Sequence, residues 1–442
     1  MRSEPISILL DPGAAELLAR LHTAGYAAYA VGGCVRDSLL GLSPHDWDLC
    51  TSARPEQVLA LFGEEHCIPT GLQHGTITIK HAGNLYETTT FRTEGAYSDG
   101  RHPDHVAFVP DVKEDLARRD FTINAMAYSA EEGLIDPFGG QDDLQKGIVR
   151  AVGEPERRFE EDALRILRLY RFAARFGFAI DPATGQAAKV LAPHLDCVSE
   201  ERIADELSRL LAAPAPGAYL EPAVLAVIFP ELDLQQLPEI RRIIDALAPG
   251  MEAFPVRLAA LLCPLGETGA KTVLRRLKVS NALTNTVTTL VRESREFFQR
   301  PSGGWDPVAA GNRAGNGMAR FVSEEEAPDS PSDAVKIQTK RLLGNYDLHM
   351  VEQLDALCGA MVPERAAEFA AQAALARQLD AEGVCCRVNQ LAVNGRDLMA
   401  AGIAPGPGLR RALEALLEQV ITEQLPNEKA ALLAAAARFS AS

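Results

Sequence analysis

An apolar run, a glycine pair and two aspartates follow one another in residues 27–50, which read AAYAVGGCVRDSLLGLSPHDWDLC. Residues 27–31 alternate enough to predict a β-strand, and Gly32 and Gly33 predict a tight turn into a short helix. Glycines just before a helix let backbone N–H groups approach phosphate oxygens closely. The sequence therefore predicts a phosphate-binding turn at the end of this strand.

Asp46 and Asp48 lie two residues apart, in and beside a second apolar run. In a strand, residues i and i+2 point to the same side, so we expect the two carboxylates to lie together. Close carboxylates repel each other unless a cation lies between them, and Mg²⁺ prefers oxygen ligands. We therefore predict that Asp46 and Asp48 are catalytic ligands of Mg²⁺. Glu87, in a neighbouring strand, is predicted as a further catalytic carboxylate. The alternative for the two aspartates is a chance pair in an acidic chain, and the alternative for Glu87 is a solvated strand residue.

The chain has 442 residues and a formal net charge of -16. This length suggests about three domains, and the negative charge disfavours a general nucleic-acid binder while leaving room for local basic patches. No apolar stretch reaches the ~18 residues of a membrane helix, and no signal segment is evident, so we expect a cytoplasmic protein without a membrane partner. Eight scattered cysteines predict reduced thiols rather than a zinc site or disulfides.

The first 150 residues mix strand and helix signals. Residues 74–80 and 85–92 alternate on either side of a turn and predict a β-hairpin. Residues 55–62 predict a helix that begins with proline, and residues 115–128 predict another helix. The polar residues 93–110 predict a mobile loop.

After about residue 150, strand-like alternation gives way to helical spacing. We therefore predict an α+β protein with an α/β head followed by helices only. A segment rich in Gly, Pro, Ser and acidic residues, 299–333, predicts a long loop. The head takes residues 1–150, and we divide the helical remainder into three parts, 151–215, 216–335 with the long loop near its end, and 336–442.

A charged motif, Arg118-Arg119-Asp120, lies at the start of the predicted helix 115–128 or within it. Arginine offers several donors in a rigid fork that suits phosphate or ribose oxygens. An adjacent aspartate can accept a hydrogen bond from a ribose 2′-hydroxyl. We predict that Arg119 and Asp120 contact a nucleotide, with a solvated helix face as the alternative.

A second charged motif lies at residues 160–171, which read EEDALRILRLYR. Arg165, Arg168 and Arg171 recur at steps of three among leucines, and a buried arginine needs anionic or polar partners. Asp162 and Arg165 lie one helical turn apart and can reach one planar ligand together. The alternative is a salt bridge on a solvated face.

The chemistry of an aspartate and arginine pair selects among bases. The carboxylate accepts from an exocyclic amine, and the guanidinium donates to a ring nitrogen or carbonyl oxygen. Cytosine and adenine present such an amine beside a ring nitrogen, whereas uracil and guanine present a carbonyl group there. We therefore predict that Asp162 and Arg165 accept C and A and reject U and G without a nucleic-acid template.

A basic cluster at residues 271–278, which read KTVLRRLK, is the clearest candidate for an RNA phosphate contact outside these motifs. Lesser candidates are Lys336, Lys340, Arg341, Arg410 and Arg411. For any one of them, a solvated helix face is the alternative.

Four motifs between about residues 27 and 180 resemble, in order and spacing, the class II tRNA nucleotidyltransferase and poly(A) polymerase family. The motifs are VGGCVRD with DWD, RRDFTINA, DPFGG and EDALRILRLYR. A weaker likeness to bacterial CCA-adding members continues in LAVNGRDL and PNEK near the end. The resemblance implies a polymerase-β-like nucleotidyltransferase head, which is catalytic (1–150), followed by a helical neck for base recognition (151–215), a helical body (216–335) and a helical tail for tRNA binding (336–442).

The resemblance also implies roles for residues of this chain. Asp46 and Asp48 would hold Mg²⁺, and Gly33 and Arg36 would hold the triphosphate. Arg119 and Asp120 would contact the sugar and phosphates. Asp162 and Arg165 would read the base, with Arg168 and Arg171 completing the nucleotide pocket.

The family includes enzymes that add CCA, C only, A only or poly(A). The full length of residues 93–110, at the position of the family's flexible loop, favours an enzyme that adds both C and A or only A. We find no extended basic tail of the kind that accompanies many bacterial poly(A) polymerases. We therefore predict CCA addition to tRNA from CTP and ATP, with A addition, polyadenylation and a non-catalytic nucleotide-binding or RNA-binding module as alternatives. The sequence leaves the oligomeric state open.

Overall fold

The structure of the protein is a computed structural model that describes residues 7–95, 106–298 and 331–439. Contacts divide the chain into two compact units, one built mainly from residues 1–237 and the other mainly from the remainder. The division into head, neck, body and tail stays a prediction.

A seven-stranded mixed sheet forms the centre of the first unit, in the order β3-β4-β5-β2-β1-β8-β9. Strands β2 and β5 are parallel, and the other neighbours in this sheet are antiparallel. The strands of the described chain are β1 (Ala28–Val31), β2 (Leu49–Thr51), β3 (Cys67–Gly71), β4 (Thr76–His81), β5 (Asn84–Thr90), β6 (Arg92–Glu94), β7 (Val106–Phe108), β8 (Ala127–Ser129), β9 (Gly133–Ile135), β10 (Ile148–Val149) and β11 (Ala179–Ile180).

Helices make up most of the rest of the described chain. Those before residue 237 are α1 (Pro12–Thr23), α2 (Gly33–Leu39), α3 (Pro55–Phe62), α4 (Val112–Ala117), α5 (Gly140–Lys146), α6 (Pro155–Glu161), α7 (Leu164–Phe176), α8 (Pro182–Leu191), α9 (Glu200–Leu211) and α10 (Pro222–Ile228). The later ones are α11 (Leu237–Ala246), α12 (Phe254–Leu262), α13 (Gly266–Arg276), α14 (Asn281–Phe298), α15 (Pro331–Asn345), α16 (Leu348–Met361), α17 (Ala366–Ala381), α18 (Gly395–Ala400), α19 (Pro407–Ile421) and α20 (Lys429–Ala436).

Local sequence signals explain several of these elements. The predicted helix α3 and the predicted hairpin of β4 and β5 are confirmed. Two residues with positive φ, Ala82 and Gly83, connect the hairpin strands, as a tight two-residue turn requires. Strand β1 is buried along its whole length and lies inside the sheet between β2 and β8, so the turn that follows it starts from a fixed position.

The predicted helix over residues 115–128 is wrong. Helix α4 ends at Ala117, and a 3₁₀ turn and strand β8 follow. The N–H of Thr122 donates to the Arg150 carbonyl oxygen, and Phe121 forms a β-bridge with Ala151. The backbone between α4 and β8 therefore finds hydrogen-bond partners in a distant segment, which a helix would not allow.

The prediction of helices only after residue 150 is wrong in one place, because β10 pairs in parallel with β11. The ends of the predicted loop 93–110 form the pair β6 and β7, while residues 96–105 lie outside the described residues. Of the predicted loop 299–333, residues 299–330 also lie outside them, and its last three residues belong to α15.

The second unit has its own core. A cluster of buried side chains from α18, α19 and α20 includes Leu398, Leu416 and Leu432, which are fully buried. All eight cysteines are free thiols, and Cys197 is the exposed one. In the described ranges, no helix is both long and apolar enough to cross a membrane.

Candidate active site

The turn between β1 and α2 is made by Gly32, whose φ of +80° lies in the left-handed region that favours glycine. Its N–H donates a 3.1 Å hydrogen bond to the Met126 carbonyl oxygen. A Cβ atom at this position would lie 2.7 Å from Nη1 of Arg119. Glycine at position 32 therefore permits the turn and leaves room for an arginine beside the backbone. Gly33 is the first residue of α2.

The two aspartates lie just before β2, so the prediction that they belong to the strand is wrong. The Asp48 carbonyl oxygen accepts a 2.9 Å hydrogen bond from the N–H of Val31, which ties this residue to the end of β1. The side chain of Asp46 is 82% exposed, and its Oδ1 lies 3.1 Å from Nδ1 of His45. The pair is therefore held at the end of the sheet and is open to solvent.

Glu87 lies in β5, which runs parallel to β2 in a register that places it beside Asp48. Neighbouring protein atoms partly shield the Asp48 carboxyl, although the residue is exposed at the surface, and this raises its pKa; the charge of Arg119 opposes the rise, and the charges of Glu87 and Asp46 add to it. The three acidic side chains, Asp46, Asp48 and Glu87, form the carboxylate cluster, and Arg119 is the cation that acts on it. The structure thus brings these four predicted residues together.

The carboxylate cluster can offer a metal ion two side-chain ligands but not three. Within the described part of the chain, no three His, Cys, Asp or Glu side chains are close enough together to hold one. Mg²⁺ is commonly held by one or two carboxylates, with water and substrate phosphates as its other ligands. Asp46 and Asp48 fit this kind of site, and Glu87 does not complete a three-carboxylate set.

Arg119 and Asp120 follow α4 rather than lying in a helix. Nη2 of Arg119 lies 3.8 Å from the buried carboxylate of Asp115, and its buried Nε has no hydrogen-bond partner among the described residues. This guanidinium, between the Gly32 turn and the carboxylate cluster, therefore carries a donor that the described part of the chain leaves unmatched.

Asp120 is buried and fully engaged. Its Oδ1 accepts from the Phe121 N–H at 2.8 Å and from Nδ2 of Asn124 at 3.0 Å. Its Oδ2 accepts from Nε and Nη2 of Arg168 at 2.9 and 2.6 Å. Burial alone would raise the pKa of Asp120, but the charge of Arg168 and the hydrogen bonds from Asn124 and Arg168 hold it well below its usual range.

Arg36 lies in the interior of the first unit. It is 4% exposed, its Nε donates to Asp37 at 2.8 Å, and its guanidinium lies 5.2 and 5.0 Å from the ring centres of Phe172 and Phe176. Burial lowers the pKa of Arg36, and the charge of Asp37 counters that effect. This side chain joins α2 to α7 behind the Gly32 turn.

Asp162 and Arg165 do not lie on one helix, which corrects the prediction of an unbroken helix over 160–171. Helix α6 ends before Asp162, and α7 begins after Ala163. Asp162 is in extended conformation, and its Oδ1 accepts from the Leu164 N–H at 3.1 Å. An aspartate that accepts a hydrogen bond from the backbone two residues further on favours a turn over a helix interior, which explains the break.

Each member of the predicted base-reading pair has other partners. Oδ2 of Asp162 accepts a 2.8 Å hydrogen bond from Nη2 of Arg202. Nη1 of Arg165 donates to Glu161 at 2.8 Å, and its Nη2 donates to the Arg118 carbonyl oxygen at 3.1 Å. The two side chains are therefore neighbours in the chain that do not pair with each other.

Arg168 and Arg171 share a buried carboxylate that sequence analysis missed. Nη1 of Arg168 lies 3.5 Å from Glu206, and Nε of Arg171 lies 2.5 Å from it. Burial lowers the pKa of Arg171 to about 10, against the opposing charge of Glu206. Arg202 and Glu206 both belong to α9, four residues apart, and this spacing is the one signal in the sequence that places them on the same helix face.

The basic candidates outside the head are largely engaged in ion pairs. In the cluster 271–278, Nη2 of Arg276 lies 3.1 Å from Glu231, and Nζ of Lys278 lies 2.9 Å from Glu201. Among the lesser candidates, Lys336 and Lys340 pair with Glu423, Arg341 with Glu418 and Arg410 with Glu414. For these residues the structure thus supports the alternative, a solvated helix face on which the cations pair with carboxylates.

Three family models match the chain in order. Residues 28–150 match the "Poly A polymerase head domain", residues 177–235 match the "Probable RNA and SrmB- binding site of polymerase A", and residues 336–436 match tRNA nucleotidyltransferase domain 2. The first match contains the carboxylate cluster and Arg119.

Bacterial relatives match over nearly the whole chain. The CCA-adding enzyme of Limosilactobacillus fermentum is 34% identical over 445 residues, covering 99% of this chain and 98% of its own. That of Levilactobacillus brevis is 36% identical over 429 residues, covering 95% and 96%. The chain belongs to the CCA-adding enzyme family.

Solved structures of CCA-adding enzymes share this fold. The Bacillus stearothermophilus CCA-adding enzyme in complex with CTP matches with a TM-score of 0.73 and 30% identity, covering 96% of this chain and 97% of that one. The Thermotoga maritima CCA-adding enzyme complexed with tRNA matches in fold, with a TM-score of 0.63 and 19% identity, covering 98% and 100%.

Membership of the CCA-adding enzyme family confirms the resemblance found in the sequence, the predicted α+β fold class and the prediction of a tRNA nucleotidyltransferase. The roles of individual residues stay predictions.

Proposed function

We propose that this enzyme builds or repairs the 3′-terminal CCA of tRNA from CTP and ATP, with release of pyrophosphate. One observation carries the proposal: the carboxylate cluster lies beside Arg119 and the Gly32 turn, in a domain that matches a nucleotidyltransferase head. The names and near-complete coverage of the relatives support CCA as the product. We place this reaction in the cytoplasm.

Asp46 and Asp48 would hold Mg²⁺. When bound, this ion would activate the attacking 3′-hydroxyl and neutralise charge on the triphosphate and the leaving pyrophosphate. Glu87 contributes negative charge next to Asp48, which favours a bound cation without making Glu87 a third ligand.

Arg119 is the candidate for triphosphate binding. Its buried Nε–H has no partner within the part of the chain that the structure describes, and an unmatched buried donor is costly unless a ligand satisfies it. Gly32 and Gly33 keep the backbone beside it free of side chains. Arg36, which is buried behind the turn, acts by holding α2 against α7.

Asp120 acts through Arg168. Each of its oxygens already accepts two hydrogen bonds, so we assign it to orient Arg168 at the nucleotide pocket. Glu206 holds Arg168 and Arg171 from the other side. Together these contacts with two buried carboxylates fix the positions of Arg168 and Arg171.

Asp162 and Arg165 would choose the base. A carboxylate has about four lone-pair positions, so Asp162 can accept from a base amine while keeping its present partners. Cytosine and adenine offer that amine, whereas uracil and guanine would bring a carbonyl oxygen against the carboxylate. Sites built to hydrogen-bond a substrate group discriminate by about 10⁴-fold or more when it is absent.

A poly(A) or A-adding activity is the second candidate, because the family model that matches the head is described as that of poly(A) polymerase. A tRNA that ends at the discriminator base separates the candidates. We expect two C from CTP alone and CCA when ATP is also supplied. Long A tails, or A added only to a C-C end, would replace our proposal with the second candidate.

The metal assignment is tested with Asp48→Asn. We expect the turnover of CTP to fall about 100-fold or more, because the variant loses a charge that Mg²⁺ needs. The thermal midpoint should stay equal or rise, because one of three repelling charges is removed. Asp142→Asn is the matched control, since Asp142 is an exposed carboxylate of the same unit. Equal turnover in the two variants would contradict the assignment.

A further inference from the structure

We propose that Arg202 is a positioning residue for base selection, which holds the Asp162 carboxylate where it can accept the amine of an incoming cytosine or adenine. This inference rests on the proposed function. Arg202 lies 40 residues beyond Asp162 in the chain, outside the motifs that carry the family resemblance.

The contact between the two residues is direct. Nη2 of Arg202 donates to Oδ2 of Asp162 at 2.8 Å, while the Leu164 N–H donates to Oδ1 at 3.1 Å. One donor on each oxygen fixes the plane of the carboxylate. The side chains of Asp162 and Arg202 are 16% and 23% exposed, so the pair is neither sealed in the core nor free in solvent.

This arrangement leaves the carboxylate able to bind a ligand. With one donor on each oxygen, about two of its four lone-pair positions stay open. Asp162 follows the end of α6 in extended conformation, so no helix hydrogen bond of its own fixes its direction. Without Arg202, Oδ2 would lose the charged group that holds it, and the side chain could turn away from a base.

Helix α9 provides a rigid base for Arg202. One turn further along, Glu206 is 4% exposed and lies between Arg168 and Arg171 of α7. The same helix therefore anchors the arginines of the nucleotide pocket and the aspartate that would read the base. A side chain that starts from such an anchored helix can set the position of its partner closely.

The chemical consequence concerns C against U. A fixed carboxylate accepts from the cytosine amine and repels the uracil carbonyl oxygen at the same place. A carboxylate that can turn away gives up the hydrogen bond to cytosine and also relieves the repulsion of uracil. Loss of Arg202 should therefore narrow the preference for CTP over UTP more than it changes the rate for a correctly bound nucleotide.

The test compares Arg202→Ala with Arg209→Ala. Arg209 lies on the same helix in an exposed pair with Asp205, with 3.1 Å between Nη2 and Oδ2, and serves as the matched control. In Arg202→Ala we expect the CTP-to-UTP ratio of kcat/KM to fall at least tenfold, mainly through a higher KM for CTP. Arg209→Ala should keep the wild-type ratio, and Arg202→Lys, which retains the positive charge, should recover most of it.

Two results would overturn the proposal. An equal slowing of all nucleotides in Arg202→Ala, with the ratio within twofold of wild type, would leave Arg202 with a structural role only. Tighter CTP binding at an unchanged ratio would show that Arg202 competes with the base instead of positioning its reader. If Arg202→Ala does not fold, Arg202→Gln keeps most of the side chain and is judged by the same ratio.

Equilibrium binding of CTP and UTP without tRNA separates this inference from the proposed function. A wild-type protein that adds CCA, with variant binding ratios equal to wild type, contradicts the role of Arg202 alone. A wild-type protein that adds no CCA contradicts the proposed function, and the binding ratios of the variants still decide the role of Arg202.

Discussion

Asp355 shows how one buried residue can limit the stability of this protein. It is 4% exposed in α16, and its Oδ2 has no hydrogen-bond partner within the described ranges. Burial raises the pKa of Asp355 to about 8, and the charge of Glu352 adds to the rise. The folded protein therefore keeps a proton that the unfolded chain releases at a pH near 4.

Asp355→Asn should stabilise the protein increasingly as the pH rises from 5 to 8. Below about pH 4 the carboxyl is protonated in both folded and unfolded states and contributes no difference. Between the two pKa values the wild type loses up to about 1.4 kcal/mol of unfolding free energy per pH unit, because only the unfolded state gives up the proton. We expect an advantage of about 2–4 kcal/mol at pH 8, measured by urea unfolding.

The control for this prediction is Asp380→Asn, because Asp380 is exposed on α17 of the same unit. This variant should follow the wild type at every pH. If Asp355→Asn gives the same advantage at pH 5 and pH 8, loss of the proton is not what destabilises the folded state.

The sequence motifs predict the centre of the site better than its supports. Asp46, Asp48, Glu87 and Arg119 come together although only Glu87 lies in a strand, because the aspartates directly precede β2, which pairs with the strand of Glu87. Arg202 and Glu206 were missed because they lie in an ordinary charged helix, and only the packing of α9 against α7 brings them to the site. A sequence motif predicts the residues that would contact a ligand, whereas the residues that hold them in place depend on contacts between distant parts of the chain.

The same distinction holds for the elements. The hairpin and α3 have local causes, a two-residue turn and an N-terminal proline. The segment after α4 does not: the Thr122 N–H donates to the Arg150 carbonyl oxygen, the Val152 N–H donates to the Asp120 carbonyl oxygen, and the apolar side chains of the segment fill the core. Hydrogen bonds to residues far along the chain outweigh the helical propensity of that segment, and no local sequence pattern predicts such bonds.

Gly32→Ala tests the turn between β1 and α2 as an element. The variant should lose about 1–2 kcal/mol of stability because alanine is strained at positive φ. It should also lose about tenfold or more in CTP turnover, since the new Cβ would force the Arg119 guanidinium away. Thermal unfolding and single-nucleotide incorporation measure the two effects separately.

Gly25→Ala is the matched control for strain. Gly25 has a φ of +86°, and a Cβ there would meet nothing within 4 Å, so it should lose similar stability and keep full turnover. Turnover that falls equally in both variants would attribute the effect to strain and remove Arg119 from the explanation.

At the scale of the whole molecule, a protein with a net negative charge must bind tRNA, which is also negatively charged. The chain has 60 acidic and 44 basic residues, and Arg276, Lys278, Lys336 and Lys340 are already in ion pairs. The net charge therefore opposes long-range attraction of tRNA by the protein as a whole. Binding therefore has to come from a limited number of short-range phosphate contacts.

The affinity for tRNA should consequently depend steeply on salt, while that for CTP should depend on it less. If about five phosphates are contacted, raising KCl from 50 to 200 mM should weaken tRNA binding about 100-fold, because each contact releases condensed counterions. Replacing the exposed Lys271 and Arg275 by alanine should reduce the slope of log affinity against log salt by about two; Lys278→Ala, whose partner is Glu201, should reduce it less. Fluorescence anisotropy with tRNA that lacks CCA measures the slopes. A slope near zero would mean that tRNA is held by its shape and stacked bases, and that the basic helix end at residues 271–278 has no part in binding it.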